Sequence, residues 1–197
     1  VDQLAALAEA GVIGFKAFLS NSGFEPFSSV QNESLYKGMQ EIARLRKILA
    51  LHAESDELTT FLQQQKIQEG ATTAEDYSAS RPILAEVEAV RRALYYAQLT
   101  GCALHFVHIS SAEAVACIQN AKMQGLNVSL ETCPHYLLFN DTAYEQYGVL
   151  AKCAPPLRAK TEQHALIECL LNGEIDMIAS DHSPCPPEMK GLSCTVL

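Results

Sequence analysis

No C-x-x-C pair, no Lys/Arg-rich run and no long apolar stretch occurs in this sequence of 197 residues. The first absence excludes a zinc knuckle. The seven cysteines (Cys102, Cys117, Cys133, Cys153, Cys169, Cys185, Cys194) are scattered and odd in number, so they make no disulfide framework either, and most are expected to be reduced and buried. The second absence, joined to a formal net charge of −9, leaves no basic footprint for nucleic acid or for an anionic membrane. A small-molecule ligand is the expected partner. The third leaves no segment near the roughly 18 apolar residues that span a bilayer. The start VDQLAALAEAG has acidic residues and no basic n-region, unlike a signal peptide. A cytoplasmic protein is expected. Internal repeats and low-complexity tracts are absent as well.

What is present is an ordinary globular composition, 48% hydrophobic and 19% charged, enough for one sizeable core and thus one domain or part of one. Apolar strand-like runs alternate with amphipathic helical stretches, the pattern of βαβ units and a parallel sheet. Strands are expected at 12–18, 48–53, 103–109, 126–132 and 175–180, and helices at 33–47, 55–69, 83–99, 112–123 and 161–172. Gly11, Gly101, Gly125 and Gly173 each stand between a helical pattern and the next strand, where a C-cap glycine belongs. A helix feeding a buried parallel strand at the very start implies that something precedes it. Long connections are expected at 20–29, 70–82 and 133–158, the last with the rigid Ala154-Pro155-Pro156. Two of the three follow strand C-termini, where α/β barrels build their active sites.

A parallel strand covered on both faces should be almost wholly apolar. Lys16, His52, His108 and Asp181 break that rule, each near the C-terminal end of a different strand. The two-residue strand period puts Leu104, Phe106 and His108 on one face, with His105 on the other, so His108 is expected inward at the mouth and His105 outward, toward the helices. By the same count Lys16 joins Gly14 and Phe18, His52 joins Ile48 and Ala50, and Asp181 joins Met177 and Ala179. A plain ammonium has no lone pair for a metal. A buried lysine of lowered pKa can instead add carbon dioxide, and the resulting carbamate offers two oxygens able to bridge two cations. With two histidines and an aspartate, that gives a hard N/O site suited to Zn²⁺, Mn²⁺, Co²⁺ or Fe²⁺. Taken singly, each histidine would more often be structural and the lysine would more often reach for solvent. Their shared placement favours a site. Cys133, beside His135, is expected to pack rather than to act as a nucleophile. His164 on a helical pattern is expected to be structural, His135 could face the pocket, and His182 is expected to bond a neighbouring loop.

The segments GFKAFL (14–19), LHAES (51–55), VHISS (107–111), ETCPHYL (131–137), CAPPLR (153–158) and SDHSPCPPEMK (180–190) resemble, in order and spacing, those of the cyclic amidohydrolases. The resemblance implies a metal-dependent hydrolase with a TIM-type (β/α)₈ barrel, of which residues 1–190 would be about strands four to eight, followed by an atypical tail, 191–197. It implies two divalent metals, Zn²⁺ foremost, bridged by an N6-carboxylysine at Lys16. His52 and His108 match the ligands of one metal, and Asp181 matches both a ligand and the general base. Ala154 and Ser183 match substrate-binding positions. The family's His-x-His pair, from strand one, has no counterpart in this sequence. The family implies a homo-oligomer, a tetramer in its intact members. Asn21, five residues past Lys16, stands where hydantoinases and dihydropyrimidinases usually carry a tyrosine. The SDHSPCPPEMK segment is most similar to allantoinases, which implies opening of the allantoin ring to allantoate in purine breakdown. Dihydropyrimidinase, hydantoinase or dihydroorotase chemistry remains an alternative, as does a non-catalytic homologue acting as an interaction protein. The GLSCTVL ending suggests a truncated or frame-shifted gene product. Such a chain is expected to be poorly stable or self-associating, with little activity, because five strands cannot close an eight-strand barrel.

Overall fold

A computed structural model describes residues 1–22, 27–71 and 73–183. The 184–190 part of the last motif and the 191–197 tail, on which two expectations fall, lie outside the described residues. Five strands form one sheet: β1 (Gly14–Phe18), β2 (Ile48–His52), β3 (Ala103–Phe106), β4 (Val128–Thr132) and β5 (Met177–Ile178). All four pairings are parallel and follow chain order. The helices are α1 (Leu4–Glu9), α2 (Asn32–Arg44), α3 (Asp56–Gln68), α4 (Ala74–Ser80), α5 (Ile83–Thr100), α6 (Ala112–Met123), α7 (Pro134–Leu138), α8 (Ala143–Tyr147) and α9 (Lys160–Leu171).

The side-chain period of the strands decides which face the helices cover. Leu49, Leu51, Leu104, Phe106 and Leu130 are buried in a single core with Met39 of α2, Val90 of α5 and Ile118 of α6. Ladder partners point the same way in a parallel sheet, so the register Lys16↔Ala50↔His105↔Ser129 runs as one row across the opposite face. That face carries polar and small residues, and its edge residues Ile48 and Met177 are exposed. Gly14 lets β1 approach β2: a Cβ there would lie 2.7 Å from Ile48 Cγ2 and 2.9 Å from its carbonyl oxygen. Gly101 ends α5 in the left-handed region at φ 70°, and Gly11, Gly125 and Gly173 also have positive φ, as their C-cap reading expects.

Four expectations change. His105 does not face the helices: it shares the helix-free face with Lys16, because the buried pair Leu104 and Phe106 takes the helix side. The third strand stops at Phe106, since His108 adopts φ 44° and breaks the alternation that was counted through it. The connection 70–82 contains α4, nucleated by a capping box in which the Asp76 amide donates to Thr73 Oγ1 and the Thr73 amide donates to Asp76 Oδ2. Likewise 133–158 holds α7, α8 and a 3-10 turn over Gly148–Ala151.

Candidate active site

The C-terminal ends of β2 and β3 bring two imidazoles together. His52 Nδ1 and His108 Nε2 lie 2.9 Å apart, in rings 4.7 Å between centroids, and both residues are buried. The left-handed turn at His108 is what aims it. Ile109 then resumes pairing, its amide donating to the Glu131 carbonyl. Asp181 likewise has φ 46°, so two of the three non-glycine residues with positive φ among the described residues are candidate site residues. Such conformations cost energy and persist where surroundings impose them.

Behind His52 stands a carboxylate that the sequence reading had not singled out. Glu54, fully buried, lies 2.9 Å from His52 Nε2 through Oε2 and accepts from Arg81 Nη1 at 2.8 Å. Burial pushes the Glu54 carboxyl up, but the bond to His52 and the charges of Arg81, His52 and Arg158 outweigh it and hold the group at about 2. An ionised carboxylate only accepts, so His52 Nε2 carries the N–H that faces it, and Nδ1, facing His108, is the atom with the lone pair whenever the ring is neutral. Burial, and then the charges of His52 and Lys16, keep the His108 pKa well below its ordinary value. A neutral imidazole is the form that ligates.

Lys16 sits on the helix-free face and is exposed, contrary to the burial that its carbamate chemistry was expected to need. Its ammonium lies 5.2 Å from the Phe18 ring centroid. Its charge is felt at both His108 and Cys133, and that of Asp181 at Cys133 and His135. The candidates from β1, β3, β4 and the segment after β5 thus lie within electrostatic reach of one another, around the buried histidine pair. Asp181, His182 and Ser183 are exposed, as is His164 on α9. Burial raises the Cys133 thiol to about 12, helped by Asp181 and Glu131, so it is no ready nucleophile. His105 lies 2.8 Å from Ser129 Oγ through Nδ1 and 3.1 Å from Glu131 Oε2 through Nε2.

The turn 153–158 is gripped from several sides. Tyr77 and Tyr136 hydroxyls donate to the carbonyls of Cys153 and Pro155, at 2.9 and 2.7 Å. The Leu157 amide donates to Tyr144 Oη, and its carbonyl accepts from Ser78 Oγ. Exposed Ala154, before a cis peptide to Pro155, has no hydrogen bond of its own among the described residues. The main chain of Ala154 is thereby presented to solvent on a fixed frame.

For a divalent cation the donor set fits at one end. Two ring nitrogens 2.9 Å apart can both reach an ion at the roughly 2.0–2.1 Å of a Zn–N bond. The carboxylate on the far nitrogen of His52 is the partner that metal-binding histidines usually have. No group of three or more His, Cys, Asp or Glu side chains that could hold a metal occurs among the described residues.

No family model matches the chain. It is 54% identical over 189 residues to an allantoinase of Bacillus velezensis, which aligns with 96% of this chain and 42% of that protein. An L-hydantoinase (dihydropyrimidinase) from Arthrobacter aurescens superposes with a TM-score of 0.93 at 34% identity, over 96% of this chain and 42% of its own. A dihydroorotase from Campylobacter jejuni shares the fold alone, with a TM-score of 0.68 at 14% identity over 95% of this chain and 49% of its own. These structural neighbours are TIM-barrel amidohydrolases, and the five parallel strands correspond to part of such a barrel, as expected from the sequence. The chain spans about 42% of the length of the curated relatives it matches.

Proposed function

We propose, from the premise that the chain is part of an allantoinase-like amidohydrolase related to the hydantoinases, that the complete protein hydrolyses the ring amide of allantoin to give allantoate. The observation that carries this reading is the buried His52–His108 pair, backed by Glu54, at the strand ends where barrel enzymes place their chemistry. His52 Nδ1 and His108 Nε2 would hold one divalent cation. Lys16, as N6-carboxylysine, would bridge it to a second, and Asp181 would complete the set. Zn²⁺ suits these donors first, with Mn²⁺, Co²⁺ or Fe²⁺ as alternatives. Bound cations supply Lewis acidity, lowering the pKa of water and polarising the ring carbonyl.

The protein's own residues do the rest. Asp181, exposed at the strand mouth, takes a proton from the attacking water and returns it to the departing ring nitrogen, as base and then acid. The presented main chain of Ala154 and the hydroxyl of Ser183 bind the ureide. Asn21, whose amide donates to Asp56 Oδ1 at 2.7 Å, occupies the position at which the hydantoinases carry a tyrosine, and it favours allantoin over hydantoins and dihydropyrimidines. The free thiols of Cys102, Cys117, Cys133 and Cys169 are in keeping with a cytoplasmic enzyme, and the family resemblance suggests a homo-oligomer. Lys16→Ala in the complete protein is expected to abolish metal-dependent release of allantoate. Full activity in that variant would overturn the site.

A further inference from the structure

We infer that Arg158 is a positioning residue that locks the substrate-side turn 153–158 to the supports of both histidine ligands, an inference that rests on the proposed hydrolase reading. Arg158 ends the CAPPLR motif and is buried, with 8% of its surface exposed. Its Nε donates to Ser110 Oγ at 3.0 Å, and its Nη1 donates to the Arg81 carbonyl at 2.6 Å. Its own carbonyl accepts from the Asp141 amide at 2.9 Å. One guanidinium thus ties three separate stretches of chain: the turn itself, the loop that follows β3, and the joint between α4 and α5.

Each of the two points that the guanidinium grips leads to a histidine. Ser110 is two residues past His108, and it is held a second time by Glu86, which accepts from the Ser110 amide and hydroxyl at 2.9 Å and from the Ser111 hydroxyl. Arg81 leads to the other histidine: its side chain donates to Glu54, which orients His52. The planar fork of a guanidinium can serve acceptors on both sides at once, which an ammonium cannot reproduce. Two buried side-chain polar atoms lack a partner among the described residues, Arg158 Nη2 and Glu54 Oε1. They carry opposite charge, and the field of Arg158 reaches the Glu54 carboxylate. In a low-dielectric interior such attraction acts without a direct bond. The turn that presents Ala154 and the pair that holds a cation therefore share one buried cation as their common fixed point.

The experiment compares the complete protein with Arg158→Lys and Ser110→Ala, the second a smaller change that removes the Nε acceptor along with the hydroxyl's bond to Glu86 and leaves the Ser110 amide bond to Glu86 in place. Metal content, unfolding by urea, and kcat and KM on allantoin are read for each. Arg158→Lys is expected to keep its metal, to raise KM and to lower kcat/KM roughly 10- to 100-fold, in the range of changes behind metal ligands. Ser110→Ala should shift KM in the same direction by a smaller factor, and it supplies the test if Arg158→Lys fails to fold. A folded Arg158→Lys with kcat and KM within twofold of wild type overturns the inference, as does an unaltered KM in Ser110→Ala. Loss of stability with unchanged KM assigns Arg158 a merely structural role and equally overturns it. A wild-type protein that opens no cyclic ureide overturns the hydrolase reading and this inference with it, whereas an active wild type with indifferent variants sinks the inference alone.

Discussion

Replacing Glu54 by Gln keeps the shape of the side chain and removes the charge that faces both His52 and Arg81. The size of the effect can be worked from the carboxyl itself. Its pKa falls from an ordinary 4.5 to about 2 in the fold. At about 1.4 kcal/mol for each tenfold change in proton affinity, that depression corresponds to roughly 3 kcal/mol of stability near neutral pH. Glu54 is fully buried, so solvent screening does not erode the figure. The magnitude agrees with the roughly 3–5 kcal/mol lost when one member of a buried pair is removed and its partner stays charged. The sign follows from a folded pKa that lies below the unfolded one. The contribution is present above about pH 4.5 and disappears as pH falls toward about 2. Urea unfolding of the complete protein should therefore show Glu54→Gln less stable by about 3 kcal/mol near pH 7, with the gap closing through that acid window. Activity should fall as well, by roughly 10- to 100-fold, because His52 exchanges a charged acceptor for a neutral amide that holds its tautomer and orientation less firmly. Equal stability of the two proteins near pH 7, or a gap that stays constant down to pH 2, would refute the reasoning.

Two further substitutions probe how the site is built. Gly14→Ala places a methyl 2.7 Å from Ile48 Cγ2 and 2.9 Å from a backbone oxygen, so β1 must move away from β2; a loss of about 1–3 kcal/mol in urea unfolding is expected. Lys16 lies two residues along the same strand, so activity should fall with stability. Tyr136→Phe strips the Pro155 carbonyl of its donor in a buried setting and should cost about 1–3 kcal/mol, with a raised KM for the ureide because the turn is freed.

Much of this architecture was legible before any coordinates, for physical reasons that differ by residue. Lys16 and His52 stood out because a polar group in an otherwise apolar parallel strand needs a reason to be there, and the sheet register puts both on the helix-free face. His108 was also found, but the two-residue count grouped it with Leu104 and Phe106. The left-handed backbone at His108 resets that count, and no residue type at 108 announces it. The same miscount sent His105 to the wrong face. Glu54 was visible inside LHAES, yet its meaning depends on Arg81, whose approach from 27 positions away follows only from the packing of α4 and α5. Helix α4 has a local signal in the capping box of Thr73 and Asp76, within a stretch whose Ser and Ala content otherwise reads as a loop. The burial expected of Lys16 did not appear, because the five described strands leave their inner face open.

The central claim is tested most directly by metal content and ring-opening rates, measured side by side on allantoin, dihydrouracil and dihydroorotate with the complete protein before and after chelation. The account predicts bound divalent metal, preferential turnover of allantoin, loss of that turnover on chelation and its return when Zn²⁺ or Mn²⁺ is added back. Turnover that survives complete removal of metal, or a preference for dihydrouracil or dihydroorotate over allantoin, would contradict it.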